Sequence, residues 1–308
     1  MKYAIEKQLR ILRWMKMPKS LFRIWISNQV LKLLYKFQKP HRGVIQNRIF
    51  IRSRDGYLIK VNRFVAKEKT SDLTLIHFHG GGFMMNATHS HKKILSSLVS
   101  ELGGQAFMIH YRLAPKYAFP TPMYDVIDVY NNLIDNHSLY EITLSNFGFC
   151  GDSAGGNLAA ALSLYCADHD LKLPKFQMLF YPALDKGNNT ESRKKFKDTP
   201  MIYSSLFDFI GKHYYRNGLF GLEIYAFPVI HPLDKVQPPT YIEVCEFDPL
   251  HDEGIVYANR LTAKGVFVVL NDVAGAVHGY DVVMHSRIVK ENMKKRMMFI
   301  HEQTKQKK

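Results

Sequence analysis

The chain has 308 residues, 46% of them hydrophobic, so it is long enough for one large domain with a substantial core. No stretch reaches the roughly 18 uncharged apolar residues that a membrane span needs, and Lys and Arg residues interrupt each apolar run near the N-terminus, which argues against a signal peptide. The three cysteines (Cys150, Cys166 and Cys245) have the spacing of neither metal ligands nor a disulfide framework, which favours reduced core thiols in a cytoplasmic protein.

The net charge of +15 is unevenly distributed along the chain. Residues 1–42 contain eleven Lys or Arg residues and a single acid, Glu6, whereas residues 285–308 contain eight against two. The body between them is close to neutral. A nucleic-acid binder usually carries such charge on a recognisable module. The sequence contains none, so we expect no nucleic-acid partner and interpret the ends as solvated helices.

Strand-like and helical patterns alternate through most of the chain. Residues 2–38 predict two amphipathic helices separated at Pro18, with Ser20 able to cap the second. Asp55-Gly56 predicts a hairpin turn between "RIFIRS" and "YLIKVNR". Further strands are predicted at 73–78, 106–111, 147–150, 176–181, 240–246 and 266–271, and helices near 89–102, 122–136, 154–167, 253–264 and 282–302. This alternation indicates an α/β architecture, with a mostly parallel central sheet, helices on both faces and the hairpin as its antiparallel edge.

Two segments do not fit the alternation. One is the N-terminal segment 1–42, and the other is residues 186–222, which separate two predicted strands and contain a helical stretch around 201–216. An excursion of that length inside an α/β unit is more often a functional insertion than a loop. It also contains the basic run "RKKFK", which begins at Arg193.

A nucleophile motif is present at residues 151–155, "GDSAG", between a short apolar strand and an Ala-rich helix. In this G-x-S-x-G context a sharp strand-to-helix turn lifts the serine out of the sheet, and the flanking glycines relieve the crowding. The helix N-terminus beneath the serine favours negative charge. The motif therefore predicts Ser153 as a nucleophile.

A second glycine-rich stretch, "TLIHFHGGGF" at residues 74–83, ends a strand in three glycines. Attack by Ser153 on an acyl carbon creates an oxyanion, which needs backbone N–H donors that no side chain obstructs. We expect these donors to be Gly81, Gly82 and Ala154, with His79 and Gly80 in the loop motif that holds them.

Two other interpretations of these residues are disfavoured by the sequence. A phosphate-binding loop is disfavoured because no Gly-Lys-Ser/Thr follows. The pairs His77/His79 and His89/His91 suggest zinc, but no further ligands lie at ordinary spacing, so we expect no metal.

The base and its orienting acid are selected by chain order, because hydrolases with this serine motif have the order Ser, Asp or Glu, His. Asp248 follows the predicted strand 240–246, and His278 lies on a loop after the strand 266–271. Both therefore lie at strand carboxyl ends, as Ser153 does, which is where open α/β sheets bind ligands. The acids Asp252 and Glu253 are rivals, but they fall at the start of the following helix, where they are expected to cap it.

With these motifs in order, the chain resembles the hormone-sensitive-lipase-like (family IV) carboxylesterases of the α/β-hydrolase fold. The matching stretches are His79-Gly80-Gly81-Gly82, Tyr111-Arg112-Leu113-Ala114-Pro115, Gly151-Asp152-Ser153-Ala154-Gly155-Gly156-Asn157, Asp248-Pro249-Leu250 with Asp252-Glu253-Gly254, and His278-Gly279-Tyr280. The resemblance covers residues 70–285 and implies a Ser153–Asp248–His278 triad, an oxyanion hole from Gly81, Gly82 and Ala154, and a helical cap. The cap would consist of the N-terminal segment 1–42 and the insertion 186–222 on a catalytic domain of residues 43–308. Three residues depart from the family pattern: Lys116, His251 and Tyr280.

The expected function is a serine carboxylesterase that hydrolyses short- to medium-chain esters without a metal or cofactor. The alternatives are an interfacial lipase for longer chains, a deacetylase or amidase with the same triad, and a non-catalytic receptor on this scaffold. We expect Phe83, Met84, Phe119 and Asp152 to line the substrate pocket.

The expected partner is a small-molecule ester, and a homodimer is left open. The basic N-terminal helices and the "RKKFK" run suggest a cationic entrance and a peripheral contact with an anionic membrane surface. For Trp14 and Trp25, however, packing on the body of the protein is the more common arrangement.

Overall fold

Eight strands form one twisted sheet through the centre of the computed structural model, which describes residues 3–186 and 189–305. The strands are β1 (Val44–Arg52), β2 (Leu58–Ala66), β3 (Thr74–Phe78), β4 (Gln105–His110), β5 (Phe147–Asp152), β6 (Phe176–Phe180), β7 (Thr240–Phe247) and β8 (Val268–Val277). Their order is β1-β2-β4-β3-β5-β6-β7-β8. Strand β2 pairs antiparallel with both β1 and β4, and the other pairs are parallel. The predicted hairpin is therefore confirmed as the antiparallel edge.

Helices cover both faces of this sheet, as the alternation predicts. The α-helices of the described residues are α1 (Leu21–Phe37), α2 (His89–Leu102), α3 (Thr121–Asp135), α4 (Ala154–Asp168), α5 (Glu191–Lys195), α6 (Ser204–Tyr214), α7 (Glu223–Ala226), α8 (His251–Ala263) and α9 (Arg287–Thr304). Of these, α2 and α9 lie on one face of the sheet, and α3, α4 and α8 lie on the other. Successive residues of β4 alternate between the two cores, with Phe107 and Ile109 on the side of α3, α4 and α8, and Ala106 and Met108 on the side of α2 and α9. This alternation follows from the two-residue period of a strand.

The N-terminal segment differs from its prediction in three respects. The first predicted helix is a 3-10 helix, Lys7–Trp14, rather than an α-helix. Ser20 occupies the N-cap position of α1, but its side chain makes no capping hydrogen bond. The expectation that both tryptophans pack on the body is wrong, because Trp14 is 81% and Trp25 is 59% exposed.

The N-terminal segment and the insertion contact each other through main-chain hydrogen bonds. The N–H of Met17 donates to the carbonyl of Met201 (2.8 Å), and the N–H of Met201 donates to the carbonyl of Met15 (2.6 Å). Of the predicted segments 1–42 and 186–222, residues 1, 2, 187 and 188 lie outside the described part. Within the described ranges, no helix combines the length and apolar character needed to cross a bilayer.

Candidate active site

Ser153 lies in a strained turn between β5 and α4. Its φ of 55° is in the left-handed region, which a residue other than glycine adopts only when the surrounding structure holds it there. The neighbouring glycines are required by close backbone contacts. A Cβ on Gly151 would lie 2.2 Å from the carbonyl oxygen of Gly155, and a Cβ on Gly155 would lie 2.0 Å from that of Phe78. Gly151 is thus required by the close approach of the turn to α4, and Gly155 by the packing of α4 against β3.

Three predicted residues form a continuous chain of hydrogen bonds. The Ser153 Oγ and His278 Nε2 are 2.9 Å apart, and the His278 Nδ1 and Asp248 Oδ2 are 2.8 Å apart. Asp248 directly follows β7, His278 directly follows β8 and Ser153 directly follows β5, so the sheet brings their backbones to one edge. Because the Nδ1–H of His278 donates to the Asp248 carboxylate, the other ring nitrogen, Nε2, carries no proton and can accept the hydrogen bond of the serine hydroxyl. This arrangement can activate a nucleophile.

Asp248 is fully buried, and its second oxygen is also satisfied. The N–H of Leu250 donates to its Oδ1 at 2.9 Å. The rival acids make other contacts instead of capping α8. The Asp252 carboxylate accepts from the N–H of Ser192, and that of Glu253 accepts from the N–H of Asp185.

The glycine loop presents unused donors next to Ser153. Gly81 and Gly82 have φ values of 113° and 59°, which glycine adopts without strain. In the described part of the chain, the N–H groups of Gly81 and Gly82 donate to no protein acceptor. Ala154 is the first residue of α4, so its N–H has no intrahelical partner. The three N–H groups are therefore available to a negatively charged oxygen.

Buried side chains hold this loop in place. The neutral His79 ring donates from Nδ1 to the carbonyl of Gly80 (2.8 Å), and the Tyr111 hydroxyl donates to the carbonyl of His79 (2.5 Å). Tyr111 also stacks on the His79 ring, with centroids 4.4 Å apart. Burial lowers the pKa of His79 to about 3, so the ring stays uncharged at neutral pH.

Asp152 connects the loop to the residue before the serine. Its Oδ1 accepts from the N–H of Gly80 (3.0 Å), and its Oδ2 lies 3.1 Å from Nε2 of His91. Burial alone would raise the pKa of Asp152, but the charge and hydrogen bond of His91 hold that pKa well below its usual range. Conversely, Asp152 outweighs the effect of burial and raises the pKa of His91. The sequence suggested His91 only as a zinc ligand, because nothing local links residues 61 apart.

The loop after His278 is anchored by buried charges. The Arg296 guanidinium, on α9, donates to Asp281 (3.1 Å) and to Glu243 (3.2 Å from Nε). Tyr280, one of the departures from the family pattern, donates from its hydroxyl to Glu243 at 3.0 Å. These contacts fix the segment that follows His278 to β7, the strand that precedes Asp248.

A cavity of about 1430 Å³ opens above Ser153 and His278. Phe83 and Asp152, two of the four residues expected to line the substrate pocket, lie in its wall. Met84 and Phe119 are not among the described residues that line the cavity, so the prediction that they line the substrate pocket was wrong. Both are instead buried in the core, where the Phe119 ring packs edge-on against Tyr214, 5.8 Å away.

The predicted cationic entrance needs one correction. Arg193 is buried, where it pairs with Glu253 at 3.3 Å and stacks over the Phe207 ring. Burial raises the pKa of Glu253 to about 8, against the opposing effect of Arg193. Among the described residues, no group of three His, Cys, Asp or Glu side chains is arranged to hold a metal ion.

Comparison with known proteins identifies ester hydrolases among the relatives of this chain. The sequence profile of a family described as having the alpha/beta hydrolase fold matches residues 75–282. The ethyl acetate hydrolase of Pseudomonas putida is 27% identical over 232 residues, which cover 74% of this chain and 73% of that enzyme. The arylesterase of Saccharolobus solfataricus is 29% identical, with coverages of 73% and 74%.

The structural comparison extends over nearly the whole chain. A bacterial heroin esterase superimposes with a TM-score of 0.90 and 27% identity, covering 98% of this chain and 99% of that one. The chain therefore shares its fold with this esterase over nearly its whole length. The chain belongs to the α/β-hydrolase fold family and is a carboxylic ester hydrolase of its hormone-sensitive-lipase-like group (family IV).

Proposed function

We propose that Ser153, His278 and Asp248 are the catalytic triad with which this hydrolase cleaves short- to medium-chain carboxylic esters. The observation that carries the proposal is the continuous hydrogen-bonded chain from Ser153 Oγ to the buried Asp248 carboxylate, at the floor of a cavity. Each of the two bonds is within the normal range for a directional hydrogen bond.

The reaction follows from this geometry in two stages. The His278 Nε2 takes the hydroxyl proton as Ser153 Oγ attacks the ester carbonyl, and Asp248 stabilises the imidazolium that forms. His278 then gives the proton to the leaving alcohol, and an acyl-enzyme remains. In the second stage His278 takes a proton from water, the resulting hydroxide attacks the acyl carbon, and the proton returns to Ser153 as the acid leaves.

The oxyanion of each tetrahedral intermediate is assigned to the N–H groups of Gly81, Gly82 and Ala154. One such donor typically contributes about 3 kcal/mol to transition-state stabilisation. The fixed positions of Gly80 and His79 support this role, because preorganised donors need no rearrangement during the reaction. The mechanism uses no metal or cofactor.

The N-terminal segment and the insertion are proposed as the cap of the site. Contacts at Gly82 support this arrangement, since a Cβ there would lie 3.0 Å from Met17 and 2.9 Å from Ile210 of α6. The oxyanion loop is therefore in contact with both segments. The preference for short to medium acyl chains is supported by the ethyl acetate hydrolase among the relatives.

The proposal includes a cytoplasmic location and a peripheral contact with an anionic membrane. The three cysteines form no disulfide and are buried, which is consistent with a reducing compartment. The membrane contact is supported by the excess of basic residues in the segment 1–42.

The test is hydrolysis of p-nitrophenyl esters from acetyl to palmitoyl by wild type, Ser153→Ala and the matched control Ser138→Ala, which replaces an exposed serine. We expect the hydrolysis rate of the wild type to be highest on short- to medium-chain esters. Ser153→Ala should lose activity, and the control should keep the activity of the wild type. A serine-reactive fluorophosphonate should label wild type and not Ser153→Ala. Equal activity or equal labelling of wild type and Ser153→Ala would contradict the assignment of Ser153 as the nucleophile. A maximum rate on the palmitoyl ester would contradict the preference for short to medium chains and indicate a lipase.

A further inference from the structure

Helix α1 has its apolar stripe facing solvent rather than the core. Phe22, Trp25, Leu33 and Phe37 are 69%, 59%, 55% and 70% exposed. Residues at this three- and four-residue spacing lie on one side of a helix. We call this stripe, with its neighbours, the outer apolar face: Phe22, Trp25, Ile26, Val30, Leu33, Leu34 and Phe37. A surface helix of a globular protein normally buries such a stripe.

The opposite side of α1 is attached to the body by the buried side chains of Ile24 and Tyr35 and by polar contacts. The Asn28 amide donates to the carbonyl of Met84 (2.9 Å) and accepts from the N–H of Asn86 (2.8 Å). The Lys92 ammonium donates to the carbonyls of Tyr35 (2.6 Å) and Gln38 (2.8 Å), at the C-terminus of the helix. These contacts determine the rotation of α1, so the outward direction of the apolar face is built into the fold.

The same surface is basic throughout. Residues 7–39 contain nine Lys or Arg residues and no acid. Arg23 and Lys32 flank the apolar face on the helix surface, and both are exposed. Among the described residues of this segment, Lys16 alone forms an ion pair, with Asp198. The face therefore combines large apolar side chains with cations that have no carboxylate partner.

The outer face continues into the mouth of the cavity above Ser153. Ile11, Trp14 and Met15 of the N-terminal segment are 70%, 81% and 48% exposed, and Ile26 and Val30 of α1 are 42% and 49% exposed. All five also line the cavity. The apolar surface of the N-terminal segment is therefore continuous with the lining of the cavity that contains Ser153.

We propose that the outer apolar face docks on an anionic lipid bilayer, and that esters dissolved in the bilayer enter the cavity directly from it. This inference rests on the proposed esterase function and adds the source of its substrate. A bilayer with anionic headgroups supplies both an apolar interior and negative charge, which is the combination that a basic amphipathic surface helix binds. A second copy of the chain would bring a face of like charge into contact, which opposes association.

Of the two tryptophans of the chain, Trp25 lies on the outer apolar face and Trp14 lies at the mouth of the cavity, and both are exposed, so their fluorescence reports the contact. The full-length protein is mixed with phosphatidylglycerol or phosphatidylcholine vesicles at low and at high salt. We expect a blue shift, co-sedimentation and quenching by brominated acyl chains with phosphatidylglycerol at low salt, and at least tenfold weaker binding at high salt. Absence of binding to phosphatidylglycerol at low salt would overturn the proposal.

Variants separate docking from catalysis. The double variant Phe22→Ser/Phe37→Ser removes two exposed side chains that do not line the cavity, and Leu139→Ser/Val236→Ser is the matched control elsewhere on the surface. The first variant should lose vesicle binding at least tenfold and hydrolyse a vesicle-embedded ester more slowly, with unchanged activity on a water-soluble ester. The control should behave as wild type.

Two further results distinguish the possible failures. If light scattering shows a wild-type dimer that Phe22→Ser/Phe37→Ser dissociates, the face is an interface between copies and the proposal is overturned. Ser153→Ala should bind vesicles as wild type does. If vesicle binding is intact but Ser153→Ala still hydrolyses esters, the catalytic assignment fails while the docking surface stands.

Discussion

The carboxylate of Asp152 accepts a hydrogen bond of 3.0 Å from the backbone N–H of Gly80. This bond joins the residue before Ser153 to the residue before the two proposed oxyanion donors, Gly81 and Gly82. The nucleophile and the donors are therefore positioned relative to each other through one side chain. A Cβ on Gly80 would lie 2.1 Å from that carboxylate, so the loop and the carboxylate are in direct contact.

Replacing Asp152 should disturb the oxyanion site in a graded manner. Asp152→Ala removes the acceptor for Gly80, and we expect kcat to fall about 10²-fold, because small displacements of catalytic groups have effects of that size. Asp152→Asn keeps an acceptor oxygen, so its kcat should fall less. KM should change little in both, since the donors act mainly on the transition state. If circular dichroism shows both variants to be folded and kcat falls equally in both, the hydrogen bond from Gly80 to Asp152 does not determine kcat.

The pair of His91 and Asp152 should make stability depend on pH. The pKa of His91 is raised in the folded state above its ordinary value of 6.5. The contribution of protonated His91 to the free energy of unfolding is therefore fully present below pH 6.5 and is lost as the pH rises through the folded-state pKa of His91. We expect His91→Gln to reduce the free energy of unfolding by about 1–2 kcal/mol at pH 6, and by less at pH 9.

Urea unfolding of wild type, His91→Gln and the exposed control His285→Gln over this pH range measures the effect. The control should show no such trend. A destabilisation of His91→Gln that is constant or grows with pH would mean that the charge on His91 is not involved.

The regular elements and the meeting of Ser153, Asp248 and His278 were predictable from the sequence. The strand and helix periods define the elements, and residues that directly follow parallel strands must lie at the same edge of the sheet. Gly151 marks the serine turn because its crowding against Gly155 is local to a few residues. Each of these inferences uses information within a short stretch of chain.

Other features were not predictable, because they depend on tertiary contacts between distant residues. The periodicity of α1 shows an apolar stripe but not the direction it faces, which depends on the contacts of Asn28 and Lys92 and on the burial of Ile24 and Tyr35. Likewise, Arg296 lies in a strongly basic helix for which the sequence predicts exposure to solvent. Arg296 is nevertheless only 1% exposed, because its carboxylate partners come from β7 and from the loop after His278.

Glycine positions offer a matched pair of stability predictions. In Gly155→Ala the new Cβ would lie 2.0 Å from the main-chain oxygen of Phe78, which cannot move without disrupting β3. We expect a loss of about 3 kcal/mol or more in the free energy of unfolding. Gly211, in the interior of α6, has no atom within 4 Å of the added Cβ, so Gly211→Ala should gain about 0.5–1 kcal/mol. Thermal and urea unfolding measure both changes, and a destabilised Gly211→Ala would contradict the open space described there.

The buried guanidinium of Arg296 should be the most sensitive charge outside the site. Arg296→Met leaves the carboxylates of Glu243 and Asp281 buried without their partner, and we expect a loss of about 3–5 kcal/mol at neutral pH. In wild type, Arg296 outweighs burial and lowers the pKa of Glu243. In the variant the hydrogen bonds from Tyr241 and Tyr280 still oppose burial but the charge of Arg296 does not, so we expect that pKa to rise above its unfolded value. The loss should therefore shrink as the pH falls toward 5, where the carboxylate becomes protonated in the folded state. The exposed Lys294→Met on the same helix is the control, and a loss in Arg296→Met that does not change with pH would indicate that packing, rather than charge, is what Arg296 contributes.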